Sequence, residues 1–341
     1  MALISGPNYG LTSNSVSRRY SMANPSETSP AVHSCALPPQ LAGWRSLVQR
    51  SIATWEKVST NRLAGDTLAE FHSLDYFFKS FHQGGYMMFW FFQQRDAFMS
   101  QRCMEKWSRD RLDDYVLLPA MPGFVTRNNS FFVSHFWRTR DDPDPGGEYL
   151  RLHQSQLKGQ EWQYIWVDWT CMPQSPRSRR EQAYFNTCLR TMSGIIRNCG
   201  FIYFYPPFEA RLWILYEITE YVLTCDGGVA SIKTPDVEPF LDHVDEMLKV
   251  GVQTTLEKHG YRCSYDGDRQ YLMSWLELIV LLKQLHFDTD FIRKIMDHLT
   301  WIKTGVQLYS GVPVVHLQRF EGILVVDGKV HTFTPFPPLG Q

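Results

Sequence analysis

Three residues with reactive or hydrogen-bonding side chains, Ser134, His135 and Asp168, close short apolar runs in the central third of the chain. The runs 131–135 and 164–168 predict buried strands, and ligands collect at the carboxyl ends of parallel strands. We therefore expect these side chains to line a ligand site; the alternative is that they cap loops or, for Asp168, pair with an arginine. Because neighbouring residues on a strand point to opposite faces, Ser134 and His135 are not expected to form a nucleophilic dyad.

Arg177, Arg179 and Arg180 stand immediately before the predicted helix 181–196. Positive charge at a helix N-terminus opposes the helix dipole, so an anionic group is expected nearby. That group could be a ligand phosphate, a partner protein or Glu181 itself.

Other residues of this region suggest catalysis or metal binding less strongly. Cys171 could be a nucleophile, but no histidine is obviously paired with it in the sequence, which favours a buried thiol. Asp141, Asp142 and Asp144 carry the oxygen atoms that hard cations prefer, yet the interleaved prolines favour a rigid polar turn. The seven cysteines are widely spaced without a Cys-x-x-Cys pair, so no disulfide framework and no structural zinc site is expected.

Apolar runs and helical segments alternate through the same region. Strands are predicted at 131–135, 164–168, 201–205 and 229–233, and helices at 146–157, 181–196 and 212–223. Continuously apolar strands that alternate with helices are typical of a parallel sheet covered on both faces. The predicted fold class of residues 126–250 is therefore α/β.

The rest of the chain divides into three segments. Residues 1–40 are rich in Ser, Pro, Asn and Gly and predict a disordered tail. Residues 41–125 predict a helical N-terminal region, although the run 86–92 fits either a strand or a helix. Residues 251–341 predict a helical extension that ends in a β-hairpin, with the Asp-Gly pair at 327–328 as its turn.

The composition excludes several classes of protein. Hydrophobic residues make up 44% of the chain and charged residues 20%, which provides a packed core and rules out global disorder. The net charge of −1 argues against nucleic-acid binding, and the apolar runs are too short to span a membrane. Since no secretory signal is evident, we expect a cytoplasmic location.

Several motifs of the central region resemble those of the fungal heterokaryon-incompatibility (HET) domain and its TIR-like relatives. They are the segments Phe132–Trp137, Asp142–Pro145 and Trp166–Gln174, the last of which is similar to the HET pattern Trp-Ile-Asp-x-x-Cys-Ile-Asn-Gln. The segment Trp213–Glu217 keeps the Trp-to-Glu spacing of the TIR pattern Trp-Cys-x-x-Glu. The resemblance covers about residues 130–250 and implies a parallel, TIR/flavodoxin-like sheet.

The chain departs from the family patterns at three places. Pro173 replaces the Asn of the HET motif, and Arg180-Glu181 inverts the Glu-Arg pair that follows it. Ile214 replaces the Cys of the TIR motif, whereas its Glu is retained as Glu217.

The resemblance implies an activity and a residue for it. Many TIR domains cleave NAD⁺ at the nicotinamide–ribose bond with a glutamate in the position of Glu217, which implies that Glu217 is catalytic. Nicotinamide leaves without a general acid, and a fixed carboxylate stabilises the oxocarbenium-like ribose, provided that the carboxylate is ionised. NAD⁺ is then a substrate, and neither a cofactor nor a metal is implied. The implied nucleotide site is lined by Ser134, His135, Asp168 and Trp213.

The resemblance also implies partners and leaves alternatives open. In TIR domains the loop at the position of Arg177, Arg179 and Arg180 commonly mediates self-association, so these arginines could contact the NAD⁺ diphosphate or a second copy of the chain. The implied setting is a defence or incompatibility cell-death pathway of innate immunity. The alternatives are a non-enzymatic signalling or assembly module and another nucleotide-directed or biosynthetic-cluster enzyme on the same fold.

Overall fold

The described structure runs from residue 39 to residue 338. The computed structural model describes this range except positions 56–57, 59–60, 83–86, 140, 205–207, 226–230, 233–236, 264, 303 and 312. The predicted tail, residues 1–40, therefore lies outside the described residues except for its last two positions, which begin the first helix. The predicted strand 229–233 is described only at 231–232.

A six-stranded sheet forms the centre of the molecule. Its strands are β1 Phe89–Gln94, β2 Tyr115–Pro119, β3 Ser130–His135, β4 Tyr164–Val167, β5 Gly200–Phe204 and β6 Ser231–Ile232. In the order β2-β1-β4-β3-β5-β6, strands β4, β3, β5 and β6 are parallel, whereas β1 is antiparallel to both of its neighbours. The prediction of an α/β region with parallel strands is confirmed.

The region predicted to be helical, residues 41–125, also contributes two strands. Part of the ambiguous run 86–92 lies in β1, and β2 pairs with it from Phe89↔Pro119 to Gln93↔Tyr115. The description of this region as helical is therefore incomplete. Helical spacing is a local property, whereas this strand pairing joins distant segments and extends the central sheet.

Helices cover both faces of the sheet, and three of the described helices lie within residues 251–341. Their bounds are α1 Pro39–Thr54, α2 Asn61–Ala69, α3 Leu74–His82, α4 Arg95–Ser100, α5 Glu148–Leu157, α6 Asp168–Cys171, α7 Arg179–Asn198, α8 Leu212–Thr224, α9 Glu238–Val250, α10 Val252–Lys258, α11 Asp266–Gln284 and α12 Thr289–Trp301. A 3-10 helix, Arg109–Asp114, precedes β2. None of the described helices has both the length and the apolar character needed to cross a bilayer.

The two faces of the sheet pack against different helices. Along β3, Phe132 belongs to the core that includes α7 and α8, whereas Phe131 and Val133 belong to the core that includes α5. Successive strand residues alternate between the faces. Ser134 therefore lies on the α8 side of the sheet, and His135 lies on the α5 side.

A second, antiparallel sheet ends the chain. It contains β7 Val306–Tyr309, β8 Val315–Gln318, β9 Ile323–Val326 and β10 Lys329–Thr332, in the order β10-β9-β8-β7. Asp327 and Gly328 connect β9 and β10 with φ angles of 47° and 81°. Two consecutive positive φ angles are typical of the type I′ hairpin turn, so the predicted hairpin is confirmed.

A buried cluster of charged residues ties the C-terminal region to the sheet. Arg197 of α7 is fully buried and forms an ion pair with Glu220 of α8 and another, at 2.7 Å, with Asp297 of α12. Trp275 of α11 donates its indole N–H to the second carboxylate oxygen atom of Glu220. Residues 38–341 accordingly belong to one compact unit, which continues through the predicted boundary at residue 250.

Candidate functional site

Helix α8 carries two of the residues proposed from the sequence, Trp213 and Glu217. Most of its other residues are buried, among them the apolar side chains of Ile214, Leu215 and Ile218. Trp213 and Glu217 are half-buried and stand four residues apart, so they occupy the same face of the helix, one turn apart.

Glu217 contacts the carboxyl end of β3. The hydroxyl of Ser134, a residue that is only 2% exposed, donates a hydrogen bond to Glu217 Oε2. This bond joins the strand to α8 across 83 positions of sequence. Ser134 was proposed because it ends a strand, and Glu217 was proposed from the family resemblance. The structure brings these two residues into contact.

Asp168 begins α6 directly after β4, and three N–H groups surround its carboxylate. Trp137 Nε1 donates to Oδ2 at 2.8 Å, and the backbone N–H of Trp169 donates to Oδ1 at 2.6 Å. His135 Nε2 lies 3.2 Å from Oδ1. These groups orient the carboxylate while 31% of the side chain remains exposed, so Asp168 is a fixed acidic group at the solvent-facing edge of the site.

The surroundings of Glu217 change its ionisation. Burial raises the pKa of Glu217 to about 8, and the negative charge of Asp168 acts in the same direction. The hydrogen bond from Ser134 opposes the shift because it stabilises the ionised form. At pH 7 the carboxyl group is therefore mostly protonated in the free protein.

His135 lies on the other face of the sheet from Ser134. Its ring centroid is 6.0 Å from that of Tyr149 and 6.5 Å from that of His153, both on α5. The two consecutive residues therefore contact different carboxyl groups, Glu217 and Asp168. The prediction that they do not form a nucleophilic dyad is confirmed.

Trp213 links the site to the C-terminal region. Its indole N–H donates to Asp268 Oδ2 at 3.2 Å, in the first turn of α11, and its ring packs edge-on against Tyr216. Burial raises the pKa of Asp268. Sequence reasoning missed Asp268 because the contact joins positions 55 residues apart and no local pattern marks it.

Arg177 is held within its own loop. Its guanidinium carbon atom lies 3.6 Å from the centroid of the Phe185 ring, and its Nε donates to Gln182 Oε1 at 2.9 Å. A further N–H donates to the carbonyl oxygen atom of Pro173 at 3.1 Å. These contacts hold the guanidinium group of Arg177 against the loop and against α7.

Arg179 and Arg180 are exposed on the first turn of α7. The acidic group expected at this N-terminus is Glu181, which accepts a hydrogen bond from the backbone N–H of Ser178 in a capping box. Glu181 also pairs with Arg109 at 2.9 Å.

The interpretations of Cys171 and of the aspartate cluster agree with the structure. Cys171 is fully buried, and burial raises the pKa of its thiol to about 11, so the thiol stays protonated. Asp144 Oδ2 accepts a hydrogen bond from the Leu150 N–H at 2.9 Å, and Asp142 Oδ1 accepts one from the Asp144 N–H at 2.8 Å. These are the contacts of a polar turn.

Comparison of the chain with protein-family models, with curated proteins and with solved structures gives no match. The site must therefore be interpreted from its own geometry. Within the part of the chain that the structure describes, no group of three or more His, Cys, Asp or Glu side chains is placed to hold a metal ion. Ser134, Glu217 and Asp168 thus lie near one another at the ends of β3 and β4, and Trp213 lies one helical turn from Glu217 on α8.

Proposed function

We propose that the protein cleaves NAD⁺ or a related nucleotide at the nicotinamide–ribose bond. The observation that carries the proposal is the place of Glu217, whose carboxyl group meets Ser134 at the end of β3. Asp168, which follows β4, is near enough for its charge to raise the pKa of Glu217. Both carboxyl groups are thus at the edge of a parallel sheet where ligands bind.

The order of the parallel strands supports a TIR/flavodoxin-like core. The parallel strands follow one another along the chain as β3, β4, β5 and β6. Across the sheet they lie in the order β4-β3-β5-β6, which is second, first, third, fourth in chain order. Flavodoxin-like sheets have this order and hold their ligand where the first and third strands meet. Ser134, on the first of these strands, pairs with Tyr203 on the third.

The proposed reaction replaces nicotinamide by water at C1′ of the ribose. The C1′–N bond breaks with both electrons leaving on nicotinamide, which departs as a neutral molecule because the pyridinium ring was positively charged. The ribose becomes oxocarbenium-like, and the ionised carboxylate of Glu217 stabilises that charge. Water then adds to C1′ and releases a proton, which gives ADP-ribose.

Substrate binding and loss of the Glu217 proton are coupled in this scheme. With a pKa of about 8, ionising Glu217 at pH 7 costs about 1.4 kcal/mol. A pyridinium cation beside the carboxyl group offsets that cost, since a nearby positive charge lowers the pKa of a carboxyl group. The site is therefore expected to prefer NAD⁺ to NADH, whose nicotinamide ring is neutral.

Release of nicotinamide from NAD⁺ by the purified protein tests the proposal. We expect release by the wild type, a loss of at least about 100-fold in Glu217→Gln, and no change in the control Glu257→Gln on an exposed position of α10. Thermal unfolding verifies that both variants are folded. Undiminished release by Glu217→Gln, or no release by the wild type even at high concentration or after cross-linking, contradicts the proposal.

A second role, self-association as an assembly module, is favoured by the exposure of Arg179 and Arg180. Two neighbouring positive side chains on the first turn of a long helix can bind an acidic surface of a second copy. This role would suit the defence or cell-death setting that the family resemblance implies. Sedimentation of the wild type and of a double variant, Arg179→Glu with Arg180→Glu, tests it; a wild type that remains monomeric at every concentration contradicts it.

A further inference from the structure

Three polar atoms lie buried behind Asp168 without a hydrogen-bond partner among the described residues. They are Nδ1 of His135 and both ring nitrogen atoms of His153. His153 is fully buried, and the side chain of His135 is 1% exposed. Because an unpaired buried polar atom is energetically unfavourable, these atoms indicate a partner at this place that the described side chains do not supply.

The position of one proton on His135 follows from its neighbour. Nε2 faces Asp168 Oδ1 at 3.2 Å, and a carboxylate can only accept a hydrogen bond. Nε2 therefore carries the proton and donates it. In the neutral ring, Nδ1 is then an acceptor that needs a donor.

The separation of the two histidine rings fits one bridging water molecule. A direct bond between two ring nitrogen atoms spans about 3 Å and places the ring centres about 5 Å apart. The observed centroids are 6.5 Å apart and the rings are tilted by 41°. A water molecule that bonds one nitrogen atom of each ring accounts for the larger distance and has the two polar partners that buried water requires.

His153 can contribute to such a bridge as a neutral ring. Burial lowers the pKa of His153 to about 3, and the nearby His135 acts in the same direction. A neutral imidazole has one N–H donor and one acceptor. The water can then accept from His153 and donate to Nδ1 of His135.

We propose that His153 is a positioning residue that holds His135, through one buried water molecule, in the tautomer that donates from Nε2 to Asp168. The bridge prevents the His135 ring from turning and leaves Asp168 with its complete set of donors. Any effect of His153 on catalysis rests on the proposed function, whereas its effect on the His135 tautomer does not.

Nitrogen-15 NMR of the histidine rings tests this proposal without any substrate. In the wild type we expect a protonated Nε2 and an unprotonated Nδ1 on His135, and a His153 that stays neutral between about pH 5 and pH 8. In His153→Phe we expect the His135 signals to move toward the average of the two neutral tautomers. The matched control Tyr149→Phe changes another α5 neighbour of His135 and should keep the wild-type pattern.

Three results would overturn the proposal. They are a His135 proton on Nδ1 in the wild type, a wild-type His153 that titrates in this pH range, and wild-type His135 signals in a folded His153→Phe variant. The first two of these results come from the wild type alone, so they can overturn the proposal even where the variant does not fold. Because NAD⁺ cleavage is not measured, failure of the proposed function and failure of this inference are distinguishable.

Discussion

Glu217 and Asp168 are carboxyl groups of the same site in two different environments. Asp168 is surrounded by three N–H groups and is partly open to solvent. Glu217 has the hydroxyl of Ser134, and its burial and the charge of Asp168 both favour the protonated form. The two carboxyl groups therefore differ in their hydrogen-bond partners and in the surroundings that act on their side chains.

The free energy of unfolding should depend on the Glu217 proton. The pKa of Glu217 is about 8 in the folded protein against an ordinary value of 4.5, so between these values the folded state keeps a proton that the unfolded state releases. The resulting stabilisation is complete below pH 4.5 and is lost as the pH rises through 8. Relative to Glu217→Gln, we expect the wild type to lose at most about 1.4 kcal/mol per pH unit in this window. Urea unfolding at several pH values measures this, and parallel curves for the two proteins would contradict the raised pKa.

The hydroxyl of Ser134 should set the pH at which activity appears. If catalysis requires ionised Glu217, kcat/KM rises with pH, and Ser134→Ala moves that rise to higher pH because the ionised form loses its hydrogen bond. A pH–rate profile measures the shift. The control is Ser130→Ala on the same strand, whose hydroxyl bonds Asn129 Oδ1 at 2.7 Å and should not affect the profile. A rise at the wild-type pH in Ser134→Ala would be inconsistent with this role.

Part of the site could be predicted from single residues. Parallel strands bring their carboxyl ends to one edge, so the shared location of Ser134 and Asp168 followed from the apolar runs before them. The protonation of Glu217 could not be predicted, because it arises from tertiary burial and from a charge on a distant segment. His153 and Asp268 were missed for a related reason: each reaches the site through a contact that no local motif records.

Helix α8 combines the site and the core on different faces. Glu217 meets Ser134 at the end of β3, whereas Glu220 lies in the interior between Arg197 and Trp275. The buried ion pair therefore fixes the same helix that carries the proposed catalytic carboxyl group. A substitution on the buried face of α8 should therefore act first by lowering the stability of the folded protein.

Removal of Arg197 should show the difference between buried and exposed ion pairs. Arg197→Met leaves Glu220 buried without its cation, and we expect a loss of about 3 kcal/mol in the free energy of unfolding. Lys258→Met removes a lysine that is 60% exposed in its pair with Glu246 and should have little effect. Chemical denaturation of both variants makes the comparison, and equal losses would contradict the structural role of the buried pair.

Elements with a strong local pattern were predicted closely. The helices expected at 181–196 and 212–223 are Arg179–Asn198 and Leu212–Thr224 in the structure. Their apolar spacing marks the buried face over several turns, and this signal needs no tertiary information. Strands β1 and β2 were not predicted as part of the sheet, since their antiparallel pairing depends on residues far apart in sequence.

At the scale of the whole molecule, the C-terminal region is part of the same core as the central sheet. Trp275 of α11 bonds Glu220, Asp297 of α12 pairs with Arg197, and Asp268 bonds Trp213 beside the candidate site. The region predicted as an extension therefore supports both the stability of α8 and one side of the site.

Thermal unfolding should accordingly occur in one step. Calorimetry and tryptophan fluorescence are expected to give a single transition with the same midpoint, because residues 38–341 form one compact unit. A chain that ends at residue 250 lacks Trp275 and Asp297, so we expect it not to fold stably. A separate transition for residues 251–341, or a stable shortened chain, would contradict this prediction.

The alternation at the end of β3 limits how this strand can vary in length. Ser134 faces Glu217 on one side of the sheet, and the next residue, His135, faces Asp168 on the other. Insertion or deletion of one residue just before them would exchange the two side chains between the faces and separate both from their partners. Changes of two residues preserve the alternation, so tolerated length variants of this strand should differ from the wild type by an even number of residues.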